Sequence, residues 1–296
     1  MADFLISGAS GWMGTEAIMA LLDAGHSAEK IRPLSSSKPT LRIHGVDLKN
    51  YRGNSNVFDE SWGVYLHTAF LTREFYNDVG LDRYREINLG IISSTAREIR
   101  MGRPKSVVLI SSGSTRRLPG GSKSDPSYRE YAELKRIETS ELSQAAVDVG
   151  ANVVQGVLYS ATGRYMKNPK SFAIGNLLNQ ARQGHVVIDA NSQVWRRYCD
   201  AGQYLRVLMQ SALQGESVQI DSGGELVELG ELGEMCLELF NKAQGIPRKI
   251  GLKSLPDFYF STSTSFEARL APLGLRPLSI REQLENVRFA ISKHGS

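Results

Sequence analysis

Three glycines near the start of the sequence, Gly8, Gly11 and Gly14, constrain the fold more than any other feature. Phe4, Leu5 and Ile6 precede them as a short buried strand, and Ala17, Ile18, Leu21 and Leu22 follow at helical spacing. The pattern is strand, tight turn, helix. Such a turn leaves the first amides of the helix without intrahelical acceptors and aimed outward, where they can hold a pyrophosphate. A side chain at the glycines would block the turn, the approach of the phosphate, or the packing of helix on strand. Gly8, Ser10, Gly11, Trp12, Met13 and Gly14 are therefore the first candidates for contact with a dinucleotide.

Residues 31–34 read as a second strand, with Pro33 inside it. About twenty residues beyond the glycines a dinucleotide site usually places a carboxylate on the adenosine ribose. Here that place holds Ser35, Ser36, Ser37 and Lys38, with Arg42 further on. Hydroxyls and cations suit a 2′-phosphate, so the reading leans to NADP over NAD. Residues 43–48 read as a third strand carrying Asp47 and Leu48 near its end. Asp47 can accept a hydrogen bond from an adenine amino group or cap the following turn. The strand at 64–69 ends in the small residues Thr68 and Ala69, which let a cofactor approach the backbone. His67 beside them reads as a hydrogen-bonded structural histidine. A helix over 81–100 carries Ile87, Ile91, Ile92 and Ala96 on one side, and Asn88, which either supports the site's backbone or faces solvent.

The clearest buried strand is 106–112, which ends in Ser111 and Ser112, with Ser114 past a glycine. Open parallel sheets bind ligands at the carboxyl ends of their strands, so these hydroxyls stand where chemistry is expected. A polar loop follows, and then a helix to about 147 that bears Tyr131 and Lys135 four residues apart, on one helical face. An unperturbed tyrosine, with a pKa near 10, is a poor base at neutral pH. A neighbouring ammonium stabilises its phenolate, so that Tyr131 can exchange a proton with a substrate oxygen that Ser112 holds.

The segments Gly-Ala-Ser-Gly-Trp-Met-Gly, Leu-His-Thr-Ala, Asn-Leu-Gly, Leu-Ile-Ser-Ser and Tyr-Ala-Glu-Leu-Lys occur in order and at plausible intervals. Together they resemble the extended short-chain dehydrogenase/reductase family, in its nucleotide-sugar epimerase and dehydratase branch. The resemblance implies that Tyr131 and Lys135 are the catalytic pair. Ser112 is the third member, with Ser111 and Ser114 as alternatives because the register around Gly113 is open. It also implies that Lys135 binds the nicotinamide ribose, and that Tyr159 and Ser160, after a strand at 153–159, contact the nicotinamide. Ser114, Arg196 and Arg197 are its candidates for the substrate, a guanidinium fork being suited to a diphosphate. The family's paired aspartates after the arginine segment are missing, since this chain has Asp200-Ala-Gly-Gln-Tyr204. In the remainder, 172–184 reads as a helix, 186–188 as a short strand, and 229–240 and the closing segment as helices, the last capped by Ser279.

The expected architecture is α/β, a doubly wound parallel sheet of Rossmann type, with a smaller C-terminal substrate-binding cap. The dinucleotide domain spans 1–165 and the cap 166–296, with elements of the cap returning to the core. The expected function is an NAD(P)-dependent epimerase or reductase of a nucleotide-sugar. A dehydratase is disfavoured because Gly113 and Ser114 stand where family dehydratases carry an acidic pair. A reductase of a non-nucleotide carbonyl compound and a non-catalytic, redox-sensing module are the alternatives. A homodimer through the helices at 81–100 and 128–147 is what the family implies. At 22% charged and 41% hydrophobic residues the composition is that of an ordinary soluble enzyme. The net charge of +4 comes with no long basic run, which argues against a nucleic-acid partner. Two cysteines without metal-type spacing give no reason to expect a metal site or a disulfide framework. With no apolar run of membrane-spanning length and no leader-like segment, a cytoplasmic location is the expectation.

Overall fold

The computed structural model describes residues 4–35, 40–50, 62–116, 125–190, 192–242 and 255–294. The chain forms two compact units, one of Met1–Leu158 with Leu205–Ile220 and one of Tyr159–Tyr204 with Asp221–Ser296. The first unit stops at Leu158, before the expected limit at residue 165, and takes back a segment from the second half.

The first unit is built on a six-stranded sheet. Strand β1 (Phe4–Ser7) pairs in parallel with β2 (Ile31–Leu34) on one side and with β5 (Val64–His67) on the other. Beyond β5 come β6 (Ser106–Ser112) and β7 (Asn152–Leu158), also parallel, and β10 (Val218–Asp221) at the edge. Every residue of β1, β5 and β6 is buried, as expected of strands covered on both faces. Helix α1 (Trp12–Asp23) follows β1, and α3 (Leu81–Gly102) packs against α4 (Pro126–Asp148). One face of the core gathers Leu5, Tyr65, Leu109, Ile92, Ile99, Leu142 and Ala145. Between β5 and α3 lies a short helix, α2 (Tyr76–Val79). The chain moves outward from β1 to β2 and then resumes on β1's other side at β5. This reversal of strand order places the turn after β1 beside the end of β5, where such sheets bind ligands.

The expected strand at 43–48 is instead a hairpin. Strands β3 (Thr40–Ile43) and β4 (Val46–Lys49) form their own antiparallel pair. Between them His44 and Gly45 have φ of 45° and 88°, the left-handed pair that a tight two-residue hairpin turn requires. The apolar residues on both sides of the turn had read as one run.

The second unit is a smaller mixed sheet. Strand β9 (Val194–Asp200) pairs antiparallel with β11 (Glu225–Glu228), and in parallel with both β8 (Ser160–Thr162) and β12 (Asp257–Tyr259). Helix α5 (Ala173–Arg182) packs on α7 (Leu229–Leu239) and α8 (Ile280–His294). The division between the units falls within α6 (Ala201–Leu213). Ser279 caps α8 reciprocally: its hydroxyl accepts from the Glu282 amide at 3.3 Å and its amide donates to the Glu282 carboxylate at 2.9 Å. The strand expected at 186–188 is reduced to a single bridge at Ile188, because the Val187 amide donates to the Gln180 side chain at 2.8 Å instead of to a ladder. Cys199 and Cys236 are free thiols, both buried.

Candidate active site

The glycine turn is closed by backbone contacts. Gly8 has φ of 67°, and a Cβ there would lie 2.5 Å from the Ala69 amide nitrogen. A Cβ on Gly14 would lie 2.4 Å from the Gly8 carbonyl oxygen. Glycine at these two positions brings the turn against the end of β5 and α1 against the turn. Thr68 ties the same junction, its hydroxyl donating to the Ser7 carbonyl at 2.6 Å. Helix α1 starts after Gly11 with no acidic residue in its first turn and no side-chain cap. A helix N-terminus with no acidic residue in its first turn and no side-chain cap fits a pyrophosphate.

Of the expected adenosine contacts, Ser36, Ser37 and Lys38 lie outside the described residues. Ser35 bonds Asn50, hydroxyl to side-chain oxygen, at 3.3 Å. Asp47 lies on the hairpin, exposed and 3.7 Å from Arg42 directly across from it, while Leu48 is buried.

At the end of β6 the three candidate serines separate. Ser111 receives a hydrogen bond from the Thr139 hydroxyl at 3.2 Å. Ser112 accepts from both the amide and the hydroxyl of Ser114, at 3.2 and 3.0 Å. Ser112 is also the serine whose hydroxyl draws the pKa of the Tyr131 phenol down, against the larger upward effect of burial. Ser114 is buried, and its bonds hold Ser112.

Helix α4 begins at a strong cap. Asp125 accepts from the Ser127 amide at 2.9 Å and hydroxyl at 2.7 Å, and Pro126 occupies the first turn. Tyr131 and Lys135 follow on the next turns. Burial pushes the Tyr131 phenol up, Lys135 and the Ser112 hydroxyl pull it down, and Glu138 pushes it up again; the net direction is upward. Lys135 is itself buried. Its Nζ donates to the Ile110 carbonyl at 3.0 Å and to Glu138 Oε2 at 2.7 Å, and lies 4.2 Å from the centre of the Phe70 ring. Phe70 also meets Tyr131 edge-on, ring centres 5.7 Å apart. Asn88 is fully buried and grips the backbone next to Phe70: its Oδ1 accepts from the Leu71 amide at 2.9 Å and its Nδ2 donates to the Leu71 carbonyl at 3.2 Å. Of the two roles open to Asn88, the structure shows backbone support.

Glu138 continues the network. It is buried, and its Oε1 lies 3.1 Å from His67 Nε2, while His67 Nδ1 lies 2.8 Å from the Ser7 hydroxyl and 3.4 Å from that of Thr95. Burial pushes the Glu138 carboxyl up, but Lys135 and His67 outweigh it and the net direction is downward, toward the carboxylate. His67 is the hydrogen-bonded histidine that the sequence pattern predicts. Glu138 and Phe70 are absent from the sequence reading. The three-residue spacing of Glu138 from Lys135 was the available signal for the first; nothing local marks Phe70.

In the second unit, Arg196 donates to the Trp195 carbonyl at 2.8 Å and to the Asp257 carbonyl and carboxylate at 3.0 and 2.8 Å. Arg197 donates to Gly224, Ser261 and Ser263 carbonyls and pairs with Glu267 at 3.0 Å. Both guanidinium groups are thus engaged within their own unit. Tyr159 meets Tyr259 at a tilt of 60°, with ring centres 5.2 Å apart, and its amide donates to the Ser222 hydroxyl; Ser160 opens β8. Among the described residues no group of three or more acids, histidines and cysteines could hold a metal ion, and no helix is long and apolar enough to cross a membrane.

An open parallel sheet with a glycine turn at its switch point, and a serine–tyrosine–lysine set beside it, defines a dinucleotide-binding fold of short-chain dehydrogenase type. The chain belongs to the NAD dependent epimerase/dehydratase family, which it matches over residues 4–221. No curated protein matches it in sequence. Solved structures share the fold at low identity. MoeE5 in complex with UDP-glucose and NAD is 18% identical at a TM-score of 0.74, covering 99% of this chain and 100% of that one. UDP-N-acetylglucosamine 4-epimerase from Methanobrevibacter ruminantium M1 is 17% identical at a TM-score of 0.75, with 99% of each chain covered. UDP-glucose 4-epimerase from Thermotoga maritima is 14% identical at a TM-score of 0.73, covering 99% and 100%.

Proposed function

We propose that this protein is an epimerase or reductase that acts on a nucleotide-linked sugar with a bound nicotinamide dinucleotide. The observation that carries the reading is the convergence of Tyr131 and Lys135, one turn apart on α4, on Phe70, with Lys135 bonded to the β6 backbone two residues before Ser112. When bound, the nicotinamide supplies the hydride acceptor and donor. The first turn of α1 and the glycines Gly8, Gly11 and Gly14 hold the pyrophosphate. Ser112 orients the substrate oxygen, and Tyr131 passes a proton to or from it. Lys135 supplies the positive charge beside the phenol. The Ser35–Lys38 sequence, with no carboxylate, supports a 2′-phosphate on the cofactor, whereas the similar structures named above that carry a dinucleotide carry NAD. Arg196, within β9, is the candidate for the diphosphate if Asp257 yields its place. Leu81 and Leu89 on α3 and Val147 on α4 are exposed, which supports a homodimer through these helices. A cytoplasmic location completes the reading.

One observation favours a second reading, a non-nucleotide carbonyl substrate. Arg196 and Arg197 are each balanced by a carboxylate of their own unit, so neither offers an unpaid charge to a diphosphate. A panel of UDP- and dTDP-sugars and simple ketones, offered with NAD and with NADP and followed by product chromatography, decides between them. Interconversion or reduction of a sugar nucleotide supports the first reading. Turnover of simple ketones alone supports the second. Absence of any turnover with every pair refutes both.

A further inference from the structure

The Lys135 ammonium has three N–H bonds, and three groups of the protein surround it. The Ile110 carbonyl accepts at 3.0 Å, Glu138 Oε2 accepts at 2.7 Å, and the nitrogen sits over the Phe70 ring, 4.2 Å from its centre. These partners are not equal. Ile110 and Glu138 are buried, one as backbone of β6 and the other as a charged counter-ion. Taking the ammonium from either leaves a buried acceptor unmet. The ring attracts only through its quadrupole, and losing the ammonium strands no polar atom. Phe70 is also the partner that is only partly buried. Its backbone is held on both sides. Thr68 bonds the Ser7 carbonyl through its amide at 3.2 Å and its hydroxyl at 2.6 Å, and Asn88 grips Leu71. What can move between those anchors is the ring, by a change of rotamer.

We propose that Phe70 is a positioning residue that gates Lys135: its ring covers the third N–H of the ammonium at rest, and swings off it when a hydroxyl of the bound dinucleotide takes that N–H. The inference rests on Lys135 serving a bound dinucleotide, and adds what the ammonium gives up to do so. One contact between cation and ring is lost and one N–H···O bond is made, while Ile110 and Glu138 keep the ammonium in place throughout. Dinucleotide affinity is therefore lower than the site would give without the ring, by the strength of the contact that is broken. The ring also meets Tyr131 edge-on, so its departure uncovers both side chains in one movement.

The test is the affinity of the full-length protein for NAD and NADP, followed by fluorescence titration with no substrate added. Phe70→Ala is expected to bind about fivefold tighter than wild type, about 1 kcal/mol, because the contact that binding breaks is already gone. Phe70→Tyr keeps the aromatic face and should stay within about twofold of wild type. A ring that serves only to pack the site would give the opposite sign, so affinity unchanged or weaker in a folded Phe70→Ala overturns the proposal. Should that variant fail to fold, Phe70→Leu keeps apolar bulk beside Tyr131 and lacks the aromatic face. It is expected to bind about threefold tighter, and affinity at or below wild type overturns the proposal. A cycle with Lys135 tells gating from simple obstruction. In a Lys135→Met background Phe70→Ala should change affinity by no more than about twofold, and a gain as large as in wild type overturns the proposal. Failure of the underlying reading looks different, since Lys135→Met alone would then bind dinucleotide as tightly as wild type. Failure of the gate leaves the weaker binding of Lys135→Met intact and removes only the gain in Phe70→Ala.

Discussion

Gly14 and Gly90 both lie in helices, and the same substitution at the two is expected to act in opposite directions. A Cβ on Gly14 would stand 2.4 Å from the Gly8 oxygen and 2.5 Å from the Ala9 Cα, both backbone atoms that cannot swing aside. At Gly90 it would meet nothing within 4 Å. Alanine is the better helix former by about 1 kcal/mol, and this is the whole effect expected at Gly90. At Gly14 the gain is set against overpacking of about 1–3 kcal/mol, at the upper end because the atoms met are backbone, for a net loss of up to about 2 kcal/mol. For a chain of this size that corresponds to a melting temperature lowered by up to about 4 °C in Gly14→Ala and raised by about 2 °C in Gly90→Ala. The sharper readout is ligand affinity, because the Gly14 clash pushes on the turn that holds the pyrophosphate. Titration with NAD and NADP, followed by fluorescence, is expected to show affinity at least tenfold weaker in Gly14→Ala, about 1.4 kcal/mol, and unchanged in Gly90→Ala. If Gly14→Ala melts no lower than wild type and binds dinucleotide as tightly, the turn is not the close-packed cradle described here.

Asn88→Ala removes the side chain that clamps the Leu71 backbone, and chemical denaturation should show a loss of about 2 kcal/mol. Its activity should fall as well, because the same segment carries Phe70 against Tyr131 and Lys135. Asp125→Ala removes the cap of α4 at a cost of about 1 kcal/mol. The Ser127 hydroxyl, ahead of the smaller opposing effect of burial, holds the Asp125 carboxyl below its usual range. Its folded pKa is depressed, so the stabilisation is present above the unfolded value of about 4 and is lost as pH falls through the lowered folded value. The stability difference between Asp125→Ala and wild type should therefore be constant near neutrality and shrink only in acid.

The strand–turn–helix unit was legible because three glycines, an apolar strand and a helical repeat agree over one short stretch. Strand β6 was legible for a similar reason: seven consecutive buried residues leave no ambiguity of period. The β3–β4 hairpin was not, because its turn is marked only by His44 and Gly45, and the apolar residues on either side merge into a single run. The spacing of Tyr131 and Lys135 put both on one helical face, but their catalytic role rested on the family resemblance, and the partner of Lys135 was not sought along the same helix. The choice among Ser111, Ser112 and Ser114 depended on which side of the strand each hydroxyl leaves, which their order in the chain does not specify around Gly113. The engagement of Arg196 and Arg197 depends on Asp257 and Glu267, some sixty to seventy residues away in sequence. Such long-range pairings carry no local signature.

The account stands on a phenol that moves a proton beside a dinucleotide held by the glycine turn. Replacing Tyr131 with phenylalanine removes that proton and keeps the ring against Phe70. With the substrate found in the panel above, turnover should fall by at least about a hundredfold while dinucleotide affinity stays within about twofold of wild type. Turnover that survives the substitution would contradict the account.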